Sequence, residues 1–331
     1  MRVLYIGGTG EISYECVRAS VAAGQDVTVF NRGRSDEPLP ASVRQVVGDL
    51  AGRPAIAALA DEHFDAVCQF ISYAPEHVER DKALFAGKTG QYVFISSASA
   101  YQKPPAGYVI TERTPLVNPY WTYSAAKARC EALLMRWHAA SELPVTIVRP
   151  SHTCRRRLPG TFVSGDDWAW RMCQGRPILV HGDGTSLWTL THSRDFARPF
   201  VRLLGNDRAL GEAFHITTDE SNPWNGIFEA VGQALGVEPK IVHVPTDTLV
   251  RFERAWEGPL LGDKTWSVVF DNTKVRSVAG AFDCLPMIEV IRGSVEHYRR
   301  RAETFAPDQA THALLDRIAD RQRAVAPPPV P

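Results

Sequence analysis

The feature that most narrows the possible folds lies at the very start of the chain. Arg2-Val3-Leu4-Tyr5-Ile6 is a short apolar run that ends abruptly in Gly7-Gly8-Thr9-Gly10. An amphipathic stretch of helical period follows from about Glu11 to Ala23 and closes at Gly24, and Val27-Thr28-Val29-Phe30 is a second apolar run. Strand, glycine turn, helix and strand in this order form a β-α-β unit whose turn can approach a pyrophosphate seated on the helix N-terminus. Gly7, Thr9, Gly10, Glu11 and Ile12 are the positions expected to surround it. Ser13 stands where a third glycine is usual and is small enough for close helix–strand packing.

The alternation continues. Strands are expected at Val43 to Val47, Ala66 to Ile71, Gln91 to Ile95 and Val145 to Val148. Helices are expected from about Pro54 to Glu62, Glu76 to Phe85, Tyr123 to Ala140 and Asp195 to Leu204, with a late strand at Ala213 to Thr217. Strands alternating with helices predict an α/β fold, a Rossmann-type doubly wound parallel sheet covered on both faces. Residues 1–150 are assigned to this dinucleotide-binding domain, with the strand near 213–217 rejoining its sheet. Residues 151–190 and 219–323 are assigned to a smaller, mostly helical C-terminal substrate lobe. The proline-rich 324–331 reads as a disordered tail by composition.

Ligands of such sheets bind beyond the carboxyl ends of the strands. The glycine turn, Asp49, Ser72, Ser97 and Ser151 all fall there. The end of the second strand selects the cofactor, since an acidic residue holds the ribose hydroxyls of NAD whereas an arginine accommodates the 2′-phosphate of NADP. This chain has Asn31-Arg32-Gly33-Arg34, an uncharged acceptor among arginines, which tilts an NAD(P) site toward NADP; a solvated basic loop is the plainer alternative.

Tyr123 and Lys127 are four residues apart, on one face of a helix. An ammonium beside a phenol favours the phenolate, so the pair can exchange a proton with an alcohol or a carbonyl. Without the glycine turn and the serine cluster at Ser96 to Ser99, the same spacing would read as one half-buried Tyr and one solvated Lys.

Totals exclude several other classes. Lys+Arg 37 balance Asp+Glu 37 in 331 residues, which argues against binding to nucleic acid or a membrane surface. The six cysteines contain no C-x-x-C pair and read as reduced thiols of a cytoplasmic protein, with no metal site. No signal peptide is apparent after Met1, and no apolar run is long enough to span a bilayer.

With these motifs in order, the chain resembles an extended short-chain dehydrogenase/reductase of the NAD-dependent epimerase/dehydratase type over about residues 1 to 300. Further markers are Gly48-Asp49-Leu50, Phe94 to Tyr101, Arg149-Pro150, Gly182-Asp183-Gly184-Thr185 and Thr191 to Ala197. The resemblance implies that Tyr123 is the general acid/base, that Lys127 lowers its pKa and holds the nicotinamide ribose, and that Ser97 hydrogen-bonds the reacting oxygen. It places Asp49 and Leu50 beside the adenine, Ser72 and Pro150 along the cofactor, and a homodimer through the Tyr-bearing helix.

Departures narrow the reaction. Ala98 and Ser99 stand where related dehydratases carry an Asp-Glu pair. His152 stands where an Asn is frequent and Trp188 where an arginine clamps a diphosphate; Arg155, Arg156, Arg157 or Arg276 would have to substitute, or else form a solvated loop. Ser99, His152, Cys154 and Trp188 are expected near a small-molecule substrate. His152 and Cys154 read equally as an auxiliary acid/base pair or as a satisfied histidine and an inert thiol. The expected function is an NAD(P)-dependent epimerase acting on a sugar nucleotide through a keto intermediate. An NADPH-dependent ketone reductase of secondary metabolism is the alternative, and an RNA-binding member of the fold a more remote one.

Overall fold

The computed structural model describes residues 1–50, 56, 57, 59 and 61–325. The helix expected from Pro54 and the tail beyond 325 lie outside these, wholly or in part.

The N-terminal unit runs β1 (Arg2–Ile6), α1 (Ser13–Ala22), β2 (Asp26–Asn31), β3 (Arg44–Val47), β4 (Ala66–Gln69), α2 (Pro75–Phe85), β5 (Tyr92–Ile95), α3 (Thr122–Ala139) and β6 (Val145–Pro150). Later come α4 (Gly165–Cys173), β7 (Ile178–His181), α5 (Ser193–Leu203), β8 (Glu212–Ile216), α6 (Trp224–Leu235) and β9 (Ile241–Val244). Helices α7 (Met287–Arg301) and α8 (Gln309–Val325) close the described chain.

Seven strands form one parallel sheet in the order β8-β6-β5-β4-β1-β2-β3. The chain winds outward from β1 to β3, then crosses back to β4 and continues the other way. The direction reverses between β1 and β4, so their carboxyl ends diverge into a crevice.

The side-chain alternation of β1 shows how both faces are covered. Val3 and Tyr5 pack with Cys16 and Val17 of α1 and Phe196 and Phe200 of α5. Leu4 and Ile6 pack on the opposite face with Val78 and Phe85 of α2 and Cys130 and Leu134 of α3. A third core, including Trp168, Phe228, Ile291 and Leu315, belongs to the C-terminal region. That region is less exclusively helical than its sequence implies. Strands β7 and β9 pair in parallel within it, with Ile178 opposite Ile241. Apolar runs of four residues are too short to distinguish strand from buried helix by period.

Helix α3 is anchored to β6 by a buried ion pair. Arg149 Nη2 donates to Glu131 Oε2 at 2.6 Å, and both side chains are at most 6% exposed. The guanidinium also donates to the Tyr101 hydroxyl at 3.1 Å. Removing one partner leaves an uncompensated buried charge. Glu131→Ala is therefore expected to lower stability by about 3–5 kcal/mol in urea unfolding. A loss below about 1 kcal/mol, the scale of an exposed pair, would show that the pair does not anchor α3.

Candidate active site

The glycine turn connects β1 to α1 as its sequence predicts, and its geometry requires glycine. Gly7 has φ +94°, and a Cβ there would lie 2.7 Å from Ile71 Cγ2. A Cβ on Gly8 would lie 2.7 Å from Val29 Cγ2. Ser13, the departure from the usual pattern, stitches the turn shut: its hydroxyl donates to the Gly7 carbonyl at 2.6 Å and accepts from the Gly10 amide at 2.9 Å. Thr9, Gly10, Glu11 and Ile12, at the entry to α1, line a cavity of about 1030 Å³.

A second cavity of about 580 Å³ begins on the other side of the turn and is bordered by Gly7, Asn31, Arg32, Asp49 and Leu50. Asn31 differs from its expected role as an acceptor. Its Oδ1 already accepts from Gly33 N at 2.8 Å and Gln45 Nε2 at 2.9 Å, while its buried Nδ2 has no partner among the described residues. The group it offers is a donor. A tight glycine turn at a helix N-terminus, an orphaned buried donor and Arg32 beside it fit the phosphate and ribose oxygens of a dinucleotide.

Ser72, expected along the cofactor, is fully buried. Its hydroxyl donates to Asp81 Oδ2 at 3.1 Å and is thus turned inward. Its carbonyl has the larger role, accepting from Lys127 Nζ at 2.7 Å, as does the carbonyl of Ile95 at 2.7 Å. Burial lowers the lysine pKa to about 8.

Tyr123 and Ser97 face the first cavity together. Burial raises the phenol to about 12; the Ser97 hydroxyl opposes this, while Tyr73 and Asp263 add to it. The expectation that Lys127 brings the phenol down is not met within this chain. The ammonium is directed at the two carbonyls and lies 5.9 Å from the Tyr123 ring centroid. At neutral pH the phenol therefore retains its proton.

Three serines stand in line behind it. Ser124 Oγ donates to Ser99 Oγ at 2.7 Å, and Ser99 Oγ is 2.8 Å from Ser97 Oγ. Ser97 Oγ also accepts from the Ser99 amide at 3.2 Å. With Ser97 accepting from Ser99, its own proton is free to point toward Tyr123 and the cavity. Ser99, expected at the substrate, belongs to this chain; Ser124 was not identified from the sequence, because its role depends on a contact 25 residues away.

Pro150, His152, Cys154 and Trp188 also border the first cavity. Trp188 is only 3% exposed, and its indole Nε1 donates to His152 Nδ1 at 3.1 Å. Cys154 is 2% exposed, and burial pushes its thiol well above its ordinary pKa.

The segment 155–157 is held to the protein rather than forming a free loop, although Arg157 itself is exposed. The amides of Arg155, Arg156 and Arg157 donate to one oxygen of Glu11 at 2.6, 2.6 and 2.9 Å. Arg155 pairs with Glu37 at 2.6 Å, and Arg156 pairs with Glu37 and with Asp36. Burial opposes ionisation of Glu37, but the two guanidiniums together hold its carboxyl below the usual range. Residues 155–157 thus form a strap from the glycine turn to the loop after β2. Arg276 is likewise engaged, by Asp219.

A family model described as "NAD dependent epimerase/dehydratase family" matches residues 3–217. The chain belongs to this family. It is 30% identical over 275 residues to 2′-dehydrokanamycin reductase of Streptomyces kanamyceticus, covering 82% of this chain and 77% of that one. It is 29% identical over 258 residues to the chloroplast stem-loop binding protein of 41 kDa b of Arabidopsis thaliana, covering 73% of this chain and 65% of the relative. Among solved structures, UDP-glucuronic acid 4-epimerase of Bacillus cereus in complex with NAD superposes with TM-score 0.72 at 16% identity, covering 92% and 99% of the two chains; that likeness is one of fold. The family consists of NAD-dependent enzymes, and no helix among the described residues is long and apolar enough to cross a membrane.

Glu11→Ala is expected to leave the amides of 155–157 without their acceptor. Amide hydrogen exchange of these three residues is expected to accelerate while β6 stays protected. Unchanged protection at 155–157 would show that the strap is held by something other than Glu11.

Proposed function

We propose that this chain is an NAD(P)H-dependent reductase of a ketone on a polyhydroxylated small molecule. The observation that carries this reading is the state of the site's charges. Arg155, Arg156 and Arg276, three of the four arginines that could have clamped a nucleotide diphosphate, are each paired with a carboxylate of the protein, while Arg157 is exposed. Trp188 occupies the remaining position, with its N–H donated to His152. The likeness to a reductase of 2′-dehydrokanamycin supports the same reaction class.

The bound nicotinamide would supply the hydride. The glycine turn, the first amides of α1, Asn31 Nδ2 and Arg32 would hold the dinucleotide, and Asp49 and Leu50 would border its adenine side. The residues of the chain do the rest. Ser97 orients the substrate carbonyl through its hydroxyl, whose proton is directed forward by Ser99 and Ser124. Tyr123, protonated at neutral pH, delivers its proton to the carbonyl oxygen as that oxygen gains negative charge. Lys127 fixes the floor of the site through Ser72 and Ile95. Ala98 and Ser99 carry no acid that could assist loss of water, so dehydration is disfavoured.

One observation favours a second reading, epimerisation at a single carbinol carbon. The Glu11 and Glu37 strap closes over the glycine turn, and a retained cofactor suits an enzyme that regenerates it in every cycle. Stoichiometry separates the two readings. With ketone-bearing saccharides, including 2′-dehydrokanamycin, a reductase consumes NADPH absorbance. With UDP-glucose or UDP-glucuronic acid, an epimerase yields product at constant absorbance.

Tyr123→Phe is expected to lower kcat by at least about 10²-fold, the scale of a lost general acid, with cofactor affinity unchanged. Retention of activity in that variant would refute the assignment of the proton donor. Arg32→Ala is expected to weaken NADPH more than NADH in a fluorescence titration, through loss of a 2′-phosphate partner. Equal weakening would remove the reason for preferring NADP.

A further inference from the structure

The hydrogen bond between Trp188 and His152 carries information about a proton. Indole Nε1–H is only a donor, and it lies 3.1 Å from His152 Nδ1. Nδ1 must therefore present its lone pair, which places the ring's proton on Nε2. Neither partner is free to turn. Trp188 lies in the strand pair with Asn222, and its ring is 5.7 Å from that of Trp224. The imidazole is held edge-on to Trp188 at 6.4 Å and against Trp224 at 6.3 Å.

His152 also lines the cavity that contains Ser97 and Tyr123. The ionic group facing the same wall is Lys264, whose Nζ lies 3.1 Å from Asp263 Oδ2 and 5.6 Å from the centroid of the Trp188 ring. Burial first, and then the Lys264 charge, lower the basicity of His152 to about 3, so it is neutral at physiological pH.

We propose that His152 offers Nε2–H to an oxygen of the substrate as a neutral hydrogen-bond donor, and that Trp188 is the positioning residue that fixes this tautomer. The proposal rests on the reading of this cavity as the substrate site. It sets a preference for what lies there. A hydroxyl, ether or carbonyl oxygen is accepted; an ammonium is refused, because the histidine offers it no lone pair. It also removes His152 from acid–base chemistry. The sequence left open an auxiliary pair with Cys154, but a ring whose acceptor nitrogen is occupied and whose other nitrogen only donates cannot take a proton from the substrate.

The test uses the full chain with ¹⁵N-labelled histidine. Long-range ¹H–¹⁵N spectra are expected to show His152 as the Nε2–H tautomer, unchanged between pH 6 and pH 8. Trp188→Phe, which keeps a ring but removes the N–H, is expected to give mixed tautomers. The kinetic probe is 2′-dehydrokanamycin or, if it is not turned over, the saccharide ketone with the highest kcat/KM. With it, His152→Ala is expected to raise KM roughly threefold to tenfold at nearly constant kcat, the scale of one lost hydrogen bond. His152→Gln, which keeps an N–H donor, is expected to recover part of the loss. An Nδ1–H tautomer, or titration of His152 between pH 6 and pH 8, would overturn the assignment without use of any substrate. A wild-type KM in His152→Ala would overturn the substrate contact. Failure of every ketone to oxidise NADPH would refute the reductase reading, and the spectra would still decide the tautomer.

Discussion

A lysine with nowhere else to place its charge holds this site together. Lys127 is 1% exposed, and its ammonium donates to the carbonyls of Ser72 and Ile95, each at 2.7 Å. A buried cation without partners costs too much to persist, so these contacts are a condition of the fold. They tie α3 to the carboxyl end of β5 and to the segment that follows β4. Tyr123 lies one turn away on the same helix, and its position follows from that attachment. The Arg149–Glu131 pair secures the same helix further along, against β6. Stability and chemistry thus share the same bonds.

The cavity above this floor holds many charges, and its principal ones are paired. Glu11 is engaged by three amides, Glu37 by two arginines and Lys264 by Asp263. What remains for a substrate is chiefly neutral: the Ser97 hydroxyl, the Tyr123 phenol and the imidazole of His152. Preformed pairs leave little uncompensated charge to attract an ionic ligand. Neutral donors suit a substrate rich in hydroxyl and carbonyl oxygens. The strap at 155–157 adds a second consequence, since it joins the cofactor side of the site to the substrate side through one carboxylate on the glycine turn.

Much of this was legible in the chain before any coordinates. The glycine turn, the strand–helix alternation and the spacing of Tyr123 and Lys127 report local constraints, and local constraints are written in consecutive residues. The strand around Phe214 was likewise readable as apolar, and it stands beside β6 in the sheet. The role of Asn31 was readable only in part. Its place at the end of β2 was evident, but the use of its Oδ1 by Gly33 and Gln45 requires knowing that β3 lies alongside. Arg155, Arg156 and Arg157 read as a basic loop because their partners, Glu11, Asp36 and Glu37, lie more than a hundred residues earlier. Trp188 read only as a residue near the substrate, because nothing in its neighbourhood announces His152.

The sequence by itself determined that the chain folds as a doubly wound sheet with a dinucleotide turn and a Tyr/Lys helix, because period, glycine placement and residue spacing act over a few residues at a time. Only the tertiary structure decided what state those groups are in. The phenol is held protonated, the lysine is spent on backbone carbonyls, Arg155 and Arg156 are neutralised by distant carboxylates and the histidine is fixed as a donor. The reason is physical. Protonation and hydrogen-bond direction depend on burial and on the nearest partner in space, and residues far apart in the chain supply both.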